Sequence, residues 1–142
     1  MKELFKSIYG RFQIAGGSTP AFYTAIGGRM YLEEAPQNTS YPNCVFGLVN
    51  NSASWDFTED YDEALVDFVI YSSAVGASSI MGIESQLRTL YDDCGFASTD
   101  IGATWKQVYM HRGNSWLDKI PDAVSGKSIW RYTVEYNVLL TK

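Results

Sequence analysis

The sequence predicts an α+β domain, in which an antiparallel β-sheet of about four to five strands has helices packed on one face. Apolar residues recur at helical spacing in some segments and alternate at strand spacing in others. These elements follow one another as helix, short strand, hairpin, helix and hairpin, an order typical of antiparallel α+β folds. Aromatic residues make up 15% of the 142 residues, and aromatic side chains favour strands and interfaces.

The N-terminal segment is predicted to form two helices and a short strand. Leu4, Ile8 and Phe12 share one face of a first helix. A second, shorter helix is predicted to start at Pro20, since proline suits the first helical position. Each helix ends at a pair of glycines, and residues 29–32 then form a short extended segment.

The next segment is predicted to form a hairpin from strands 43–50 and 64–72, which are apolar on both faces as covered strands are. The polar residues between them include three aromatics, namely Trp55, Phe57 and Tyr61. A solvated loop does not need three aromatic side chains. Either the strands therefore extend into this segment as a projecting hairpin, or the segment packs on another subunit.

The remainder is predicted as a helix, a strand, a long loop and a final strand. The helix runs from about residue 78 to residue 93, and residues 104–112 alternate as a strand. Residues 129–140 alternate apolar and polar side chains along their whole length, the pattern of a half-buried antiparallel strand. The loop 113–128 embeds three apolar residues among polar ones: Trp116, Leu117 and Ile120.

Composition and charge exclude several classes of function. The length predicts one domain over residues 1–142. The formal net charge of -5 argues against attraction of the whole surface to nucleic acid or to an anionic membrane. No apolar run approaches the ~20 residues that a membrane span requires. Glu3 and Lys6 occupy positions where a signal peptide would have its apolar core, so a secretory leader is not expected.

Sequence templates for catalysis and metal binding are not met. His111 is the single histidine, which removes multi-histidine metal sites and leaves one candidate general base. The chain has no phosphate-binding glycine loop, no nucleophile elbow and no dinucleotide motif. Cys44 and Cys94 belong to no Cys-x-x-Cys pair and are expected to be buried thiols. We therefore predict no catalytic residue, no metal site and no cofactor, and a protein that works through its surfaces.

The segment 26–46, IGGRMYLEEAPQNTSYPNCVF, resembles the small tail-completion, or tail-terminator, proteins of long-tailed bacteriophages and prophages. In that family a helix leads through a Gly-Gly-Arg step to an Ala-Pro-Gln segment and then to a strand that follows a proline. The matching residues are Gly28, Arg29, Tyr31, Ala35, Pro36, Gln37 and Pro42. The likeness covers most of the chain in layout and only this segment in motif, and the motif residues are structural.

The resemblance implies an α+β fold, a structural role and no enzymatic activity or cofactor. Family members form a ring, commonly a hexamer, that caps the finished tail tube, ends its polymerisation and joins the tail to the head. The implied partners are further copies of the chain, the tail-tube protein and a connector protein on the head side. DNA passes through such a ring without specific binding, and the implied location is the tail or neck of a virion assembled in the host cytoplasm.

Two interface patches are predicted, since each subunit of a cyclic ring offers different surfaces to its two neighbours. The first patch, on a subunit or the tail tube, comprises Trp55, Phe57 and Tyr61. The second contact is predicted from the loop that carries Trp116, Leu117 and Ile120.

Two alternative functions remain open from the sequence. The first is another neck component, such as a head-completion or stopper protein, which would differ in its binding partner. The second is a small-molecule-binding α+β module. That module would have a concave pocket with converging polar groups and shifted pKa values near His111.

Overall fold

The structure is a computed structural model that describes residues 1–55, 58–96, 105–122 and 125–142. Within these ranges it has three helices and a five-stranded sheet, which confirms the predicted α+β class. The elements in chain order are α1 (Lys2–Gln13), α2 (Ala21–Ala25), β1 (Met30–Leu32), β2 (Asn43–Trp55), β3 (Asp60–Ser72), α3 (Ser78–Tyr91), β4 (Lys106–Pro121) and β5 (Ser128–Thr141).

The strands lie in the order β1-β2-β3-β5-β4, and four of the five pair antiparallel with their neighbours. The exception is β1, which runs parallel to β2 with Met30 beside Cys44, so the sheet is mixed rather than wholly antiparallel. Contacts of Arg29 hold β1 parallel to β2. Its Nε donates to the Pro42 carbonyl at 2.9 Å, and its own carbonyl accepts from the Cys44 amide at 2.9 Å. The two strands therefore start side by side. A strand of three residues, such as β1, is too short for its direction to be predicted from the sequence.

The first hairpin confirms the prediction of strands that extend outward. β2 continues to Trp55 and β3 begins at Asp60, well beyond the predicted apolar cores. A β-bulge lies between Leu48 and Asn50, where Val49 has no partner on β3. The bulge exchanges the two faces of β2, because one extra residue shifts the alternation by one position.

The second hairpin contradicts the predicted loop at 113–128. β4 runs on to Pro121 and pairs with β5 as far as Ser128. A register shift between Arg112 and Ser115 marks a β-bulge, which accommodates the Gly113-Asn114 step without ending the strand. The segment lacks apolar alternation because most of its side chains are exposed, and the sequence therefore resembles a loop. The start of the predicted strand, Thr104, lies outside the described residues.

The helices cover one face of the sheet and enclose a single core cluster. Phe68 lies at its centre, with its ring centroid 5.8 Å from Phe46, 4.7 Å from Tyr91 and 5.6 Å from Tyr136. Such aromatic pairs add stabilisation beyond the area they bury. The predicted helical face is confirmed, since Leu4, Ile8 and Phe12 are all buried.

Two hydrogen bonds join α1 to α3. The Tyr91 hydroxyl donates to the Ile8 carbonyl at 2.8 Å, and burial raises the pKa of Tyr91 well above its usual value. Arg11 Nε donates to the Leu90 carbonyl at 2.7 Å. A cation at a helix C-terminus also opposes the helix dipole, so Arg11 stabilises the last turn of α3 twice over.

Cys44 and Cys94 are buried free thiols, as predicted. Burial raises the pKa of Cys94 to about 11 and raises that of Cys44 further. Both groups are therefore protonated and unreactive at neutral pH. Among the described ranges, no helix has the length and apolar character needed to cross a membrane.

Candidate interface surfaces

The end of the first hairpin carries two of the three predicted aromatic residues. Trp55 is 79% exposed at the last position of β2, where it pairs with Asp60. Tyr61 is half-buried, and its hydroxyl donates to Glu59 at 3.0 Å. Neighbouring ladder positions face opposite sides, so Trp55 and Tyr61 do not share a face. The third predicted residue, Phe57, lies outside the described residues.

The second set of predicted residues lies on β4. Trp116 is 46% exposed and pairs with Thr133 on the face that the helices leave open. Leu117 lies on the other side of the strand, where it pairs with Tyr132 and packs against the core. Ile120 is half-buried opposite Ile129. Of these three residues, Trp116 is therefore the one that is exposed for contacts, and it lies on a strand instead of the predicted loop.

The two sets of aromatic residues lie at opposite ends of the sheet. Trp55 pairs with Asp60 of β3, whereas Trp116 is aligned through Thr133 with Val69 of the same strand. Val69 is nine positions after Asp60, which corresponds to about 30 Å along a strand. The structure does not bring the two predicted patches together, and each is a separate surface.

Several residues of the motif in segment 26–46 lie where the chain enters the sheet. Gly28 has φ of 73°, a conformation that suits glycine, and a side chain there would lie 2.8 Å from the Tyr23 ring. Arg29 binds the Pro42 carbonyl, as described above, and the Tyr41–Pro42 peptide bond is cis. Tyr31 is half-buried on β1 beside Val45. Gly28 and Arg29 therefore set the course of the chain into β1 and β2.

The Ala-Pro-Gln segment forms the irregular connection between β1 and β2. Ala35 is half-buried, whereas Pro36 and Gln37 are exposed. The Pro36 carbonyl accepts hydrogen bonds from both the amide and the hydroxyl of Thr39, which closes a turn. This connection forms one wall of a cleft of about 650 Å³, whose other lining residues include Tyr41, Tyr71 and Asp122.

The single histidine is exposed on the edge strand. The ring of His111 stacks on Tyr109 at 4.7 Å, and its Nδ1 lies 2.5 Å from the Asp93 carboxylate. Both partners of this pair are mostly exposed, at 59% and 76% of their side chains. His111 is not among the residues lining the 650 Å³ cleft. The described residues contain no group of three or more His, Cys, Asp or Glu placed to hold a metal ion.

Carboxylates cluster on the open face of the sheet. Asp67 lies between Gly47 and Glu135 in the strand ladders. Desolvation raises the pKa of Asp67, and the nearby charges of Glu33 and Glu135 raise it further. Glu33 accepts a hydrogen bond from the Leu48 amide at 3.0 Å and covers Gly47 so closely that a side chain at Gly47 would clash. The open face therefore has a cluster of three carboxylates near its centre.

An apolar groove between α1 and the edge strand β1 did not figure in the sequence predictions. It has a volume of about 760 Å³, and we call it the α1–β1 groove. Its apolar side chains include Phe5, Tyr9, Met30, Leu32 and Phe46, and its rim carries Lys2 and Lys6. Lys2 with Lys6 and Phe5 with Tyr9 are both (i, i+4) pairs, which was the available signal for a second functional face on α1.

Comparison with known proteins identifies a shared fold. No protein-family model matches the chain, and no curated protein matches it. A similar solved structure is a chain from the virion of a native gene transfer agent particle. The match has a TM-score of 0.70 and covers 96% of this chain and 92% of that chain, at 7% sequence identity. At this identity the similarity establishes the fold alone.

Proposed function

We propose that this chain is a structural protein of a phage-like virion, in which it forms a ring that caps the tail tube and joins the tail to the head. The observation that carries the proposal is the match over nearly the full length of both chains with a virion protein. The sequence resemblance of residues 26–46 to tail-completion proteins points to the same kind of particle and narrows the role to the end of the tail.

The distribution of exposed aromatic residues supports an assembly role. Trp55 and Trp116 are exposed about 30 Å apart on opposite ends of the sheet. Exposed tryptophans supply large apolar area and often dominate binding energy at interfaces. A ring subunit that also binds a tube and a connector needs several such separate surfaces.

The charge of the chain is compatible with a channel for DNA. The net charge is -5, and carboxylates occupy the centre of the open sheet face, including Glu33, Asp67 and Glu135. A ring through which DNA passes gains from a surface that does not bind phosphates. Tight binding of duplex DNA at physiological salt would contradict this part of the proposal.

The test is binding of the purified chain to tail tubes that lack a cap, followed by electron microscopy. We expect a ring, hexameric by mass, at one end of each tube, and particles that then join to heads. The variants Trp55→Ala and Trp116→Ala should each impair capping or joining. Val108→Ala, which changes another exposed residue of β4, is the matched control.

The choice of partner separates the tail-terminator role from its alternative. A terminator binds the tail-tube protein, whereas a stopper or head-completion protein binds the ring on the portal side. Binding to the portal-side ring without binding to tail tubes would replace the terminator role by that of another neck component. Binding to neither would contradict the assembly proposal.

A further inference from the structure

The α1–β1 groove has the features of a docking site that nothing in the described chain fills. Its aromatic and aliphatic walls include Phe5 and Tyr9 of α1, and Leu32 of β1 is 46% exposed. Lys2 and Lys6 stand on its rim, and in the described residues neither makes an ion pair. The groove borders β1, which is an edge strand and has β2 as its one neighbour among the described strands. An aromatic side chain with negative charges around it would complement this surface.

The end of the β2–β3 hairpin has the complementary chemistry. Trp55 is 79% exposed there. Asp60 and Asp62 follow on β3, on the same face of the sheet as Trp55. The hairpin thus presents one large aromatic side chain beside two carboxylates, whereas the groove presents apolar side chains beside two ammonium groups. A volume of about 760 Å³ is within the range of small-molecule sites, which leaves room for an indole ring.

The two surfaces of one copy cannot meet. The groove lies at the level of Phe46, which pairs with Phe68, whereas Trp55 pairs with Asp60. Phe68 is eight positions after Asp60, which corresponds to about 26 Å along β3. A contact between the groove and the hairpin end therefore joins two copies, and each copy uses a different surface for each neighbour. Contacts of this heterologous kind produce a ring when the rotation closes.

We propose that the β2–β3 hairpin end of one copy docks into the α1–β1 groove of the next copy, with Trp55 inserted between α1 and β1. The inference rests on the proposed ring and identifies the two surfaces that build it. It also gives Trp55 and Trp116 different roles. Trp55 holds neighbouring copies together, and Trp116 is left for the tube or the connector.

A charge-exchange experiment tests the pairing of the two surfaces. The first variant, Lys2→Glu with Lys6→Glu, has an acidic groove and keeps its acidic hairpin end. The second variant, Asp60→Lys with Asp62→Lys, has a basic hairpin end and keeps its basic groove. We expect each variant alone to self-associate at least about tenfold more weakly than the wild-type chain, because like charges then face each other.

An equimolar mixture of the two variants should regain association, since every contact between alternating copies is again between opposite charges. Light scattering over a concentration series measures this. The matched control, Lys119→Glu with Lys127→Glu, makes the same charge change outside the groove, and by itself it should self-associate as the wild-type chain does. Wild-type association should also weaken as salt concentration rises.

The variant Trp55→Ala tests the inserted side chain. We expect a loss of about 30-fold in self-association, the usual effect of removing a central tryptophan from an interface. Trp116→Ala should leave self-association unchanged. Circular dichroism shows whether each variant is folded, and Trp55 lies outside the core, so folding should be kept.

The proposal is overturned if the folded variants associate as the wild-type chain does, or if the two charge variants do not rescue each other. It is also overturned if the wild-type chain does not self-associate at any concentration. These outcomes are distinct from failure of the proposed function. A chain that self-associates through these surfaces and ignores tail tubes would retain the inference and lose the tail role.

Discussion

The two hairpins of the sheet differ in which of their parts are buried and which are exposed. In the β2–β3 hairpin the base is buried and the end is exposed, since Phe46 and Phe68 are fully buried and Trp55 at the end is exposed. In the β4–β5 hairpin one strand, β5, contributes to the core, and the other, β4, is mostly exposed. Every second residue of β5 from Trp130 onward contacts the core or is buried in it, whereas Met110 is the one buried residue of β4 in the described part of that strand.

This difference shows two ways of building an interaction surface from one sheet. The first hairpin carries its surface at its end, away from the core, so that the surface projects toward a partner. The second hairpin carries its surface along an outer strand, whose hydrogen bonds to β5 keep it in place. In both cases burial rather than strand pairing decides how much a substitution should cost.

The largest expected effect is at the buried part of the first hairpin. Phe68→Ala should lower the free energy of unfolding by about 3–5 kcal/mol, because it removes the ring around which Phe46, Tyr91 and Tyr136 pack. Trp55→Ala, in the same hairpin, should change it by less than about 0.5 kcal/mol. Urea unfolding measures both. Equal losses of unfolding free energy in the two variants would contradict a hairpin with a buried base and an exposed end.

The second hairpin is tested by one substitution made on both of its strands. Val138 is fully buried on β5, and Val138→Ala should cost about 2 kcal/mol through lost burial and a small cavity. Val108 is 53% exposed on β4, and Val108→Ala should cost less than about 0.5 kcal/mol. Thermal or urea unfolding gives both values. A similar cost at both positions would mean that β4 contributes to the core as β5 does.

A smaller effect of opposite sign is expected at Asp67, on the open face of the first hairpin. Its pKa is raised by desolvation and by Glu33 and Glu135, so its charged form destabilises the folded state. Asp67→Asn should therefore stabilise the chain at neutral pH by about 0.5 kcal/mol, a modest figure because solvent screens this half-buried group.

The sign of the pH dependence follows from linkage. The folded chain holds the Asp67 proton at higher pH than the unfolded chain, so Asp67 costs stability above its folded pKa and the cost vanishes as pH falls. Unfolding measured from neutral pH down to pH 4 should show the gain in Asp67→Asn shrinking. A gain that grows toward acid pH would contradict the assignment.

The smallest expected effect is at Asp118 on β4. Its carboxylate accepts hydrogen bonds from Nε and Nη2 of Arg131 on β5, the first at 3.0 Å, and this lowers the pKa of Asp118. Because the folded pKa is below the usual value, the pair stabilises the fold at neutral pH, and this is lost as pH falls through the folded pKa. Asp118→Asn should destabilise slightly at pH 7 and be neutral in strong acid. No difference at either pH would mean that the exposed pair contributes nothing.

The predictable parts of the fold are those whose side chains enter the core. β5, α1 and α3 have buried residues at regular spacing, and their periodicity is visible in the sequence. β4 was cut short at Gly113, because a bulged outer strand has almost no buried residues to set a pattern. The direction of β1 depends on contacts of Arg29 with residues 41–44, which no local pattern encodes.

The surfaces were predictable to a lesser degree. Trp55 was identified from an aromatic residue in a polar segment, and its exposure agrees with a surface role. The α1–β1 groove was missed, since Phe5 fits the helical spacing of a core residue and its neighbour across the groove, Leu32, is distant in sequence. A groove is a property of two elements together, and periodicity describes one element at a time.

The unpaired Val49 has a consequence for how related chains could diverge. Strand positions beyond the bulge have exchanged faces, so Trp55 lies on the side of the sheet that holds the helices. Deletion of Val49 would place Leu48 next to Asn50. Because their partners Val66 and Leu65 are already adjacent on β3, the register and the face of each outer side chain would be kept. A deletion of a single codon would then remove the bend that a bulge gives its strand, and so change the direction in which the hairpin end projects while the core stayed unchanged.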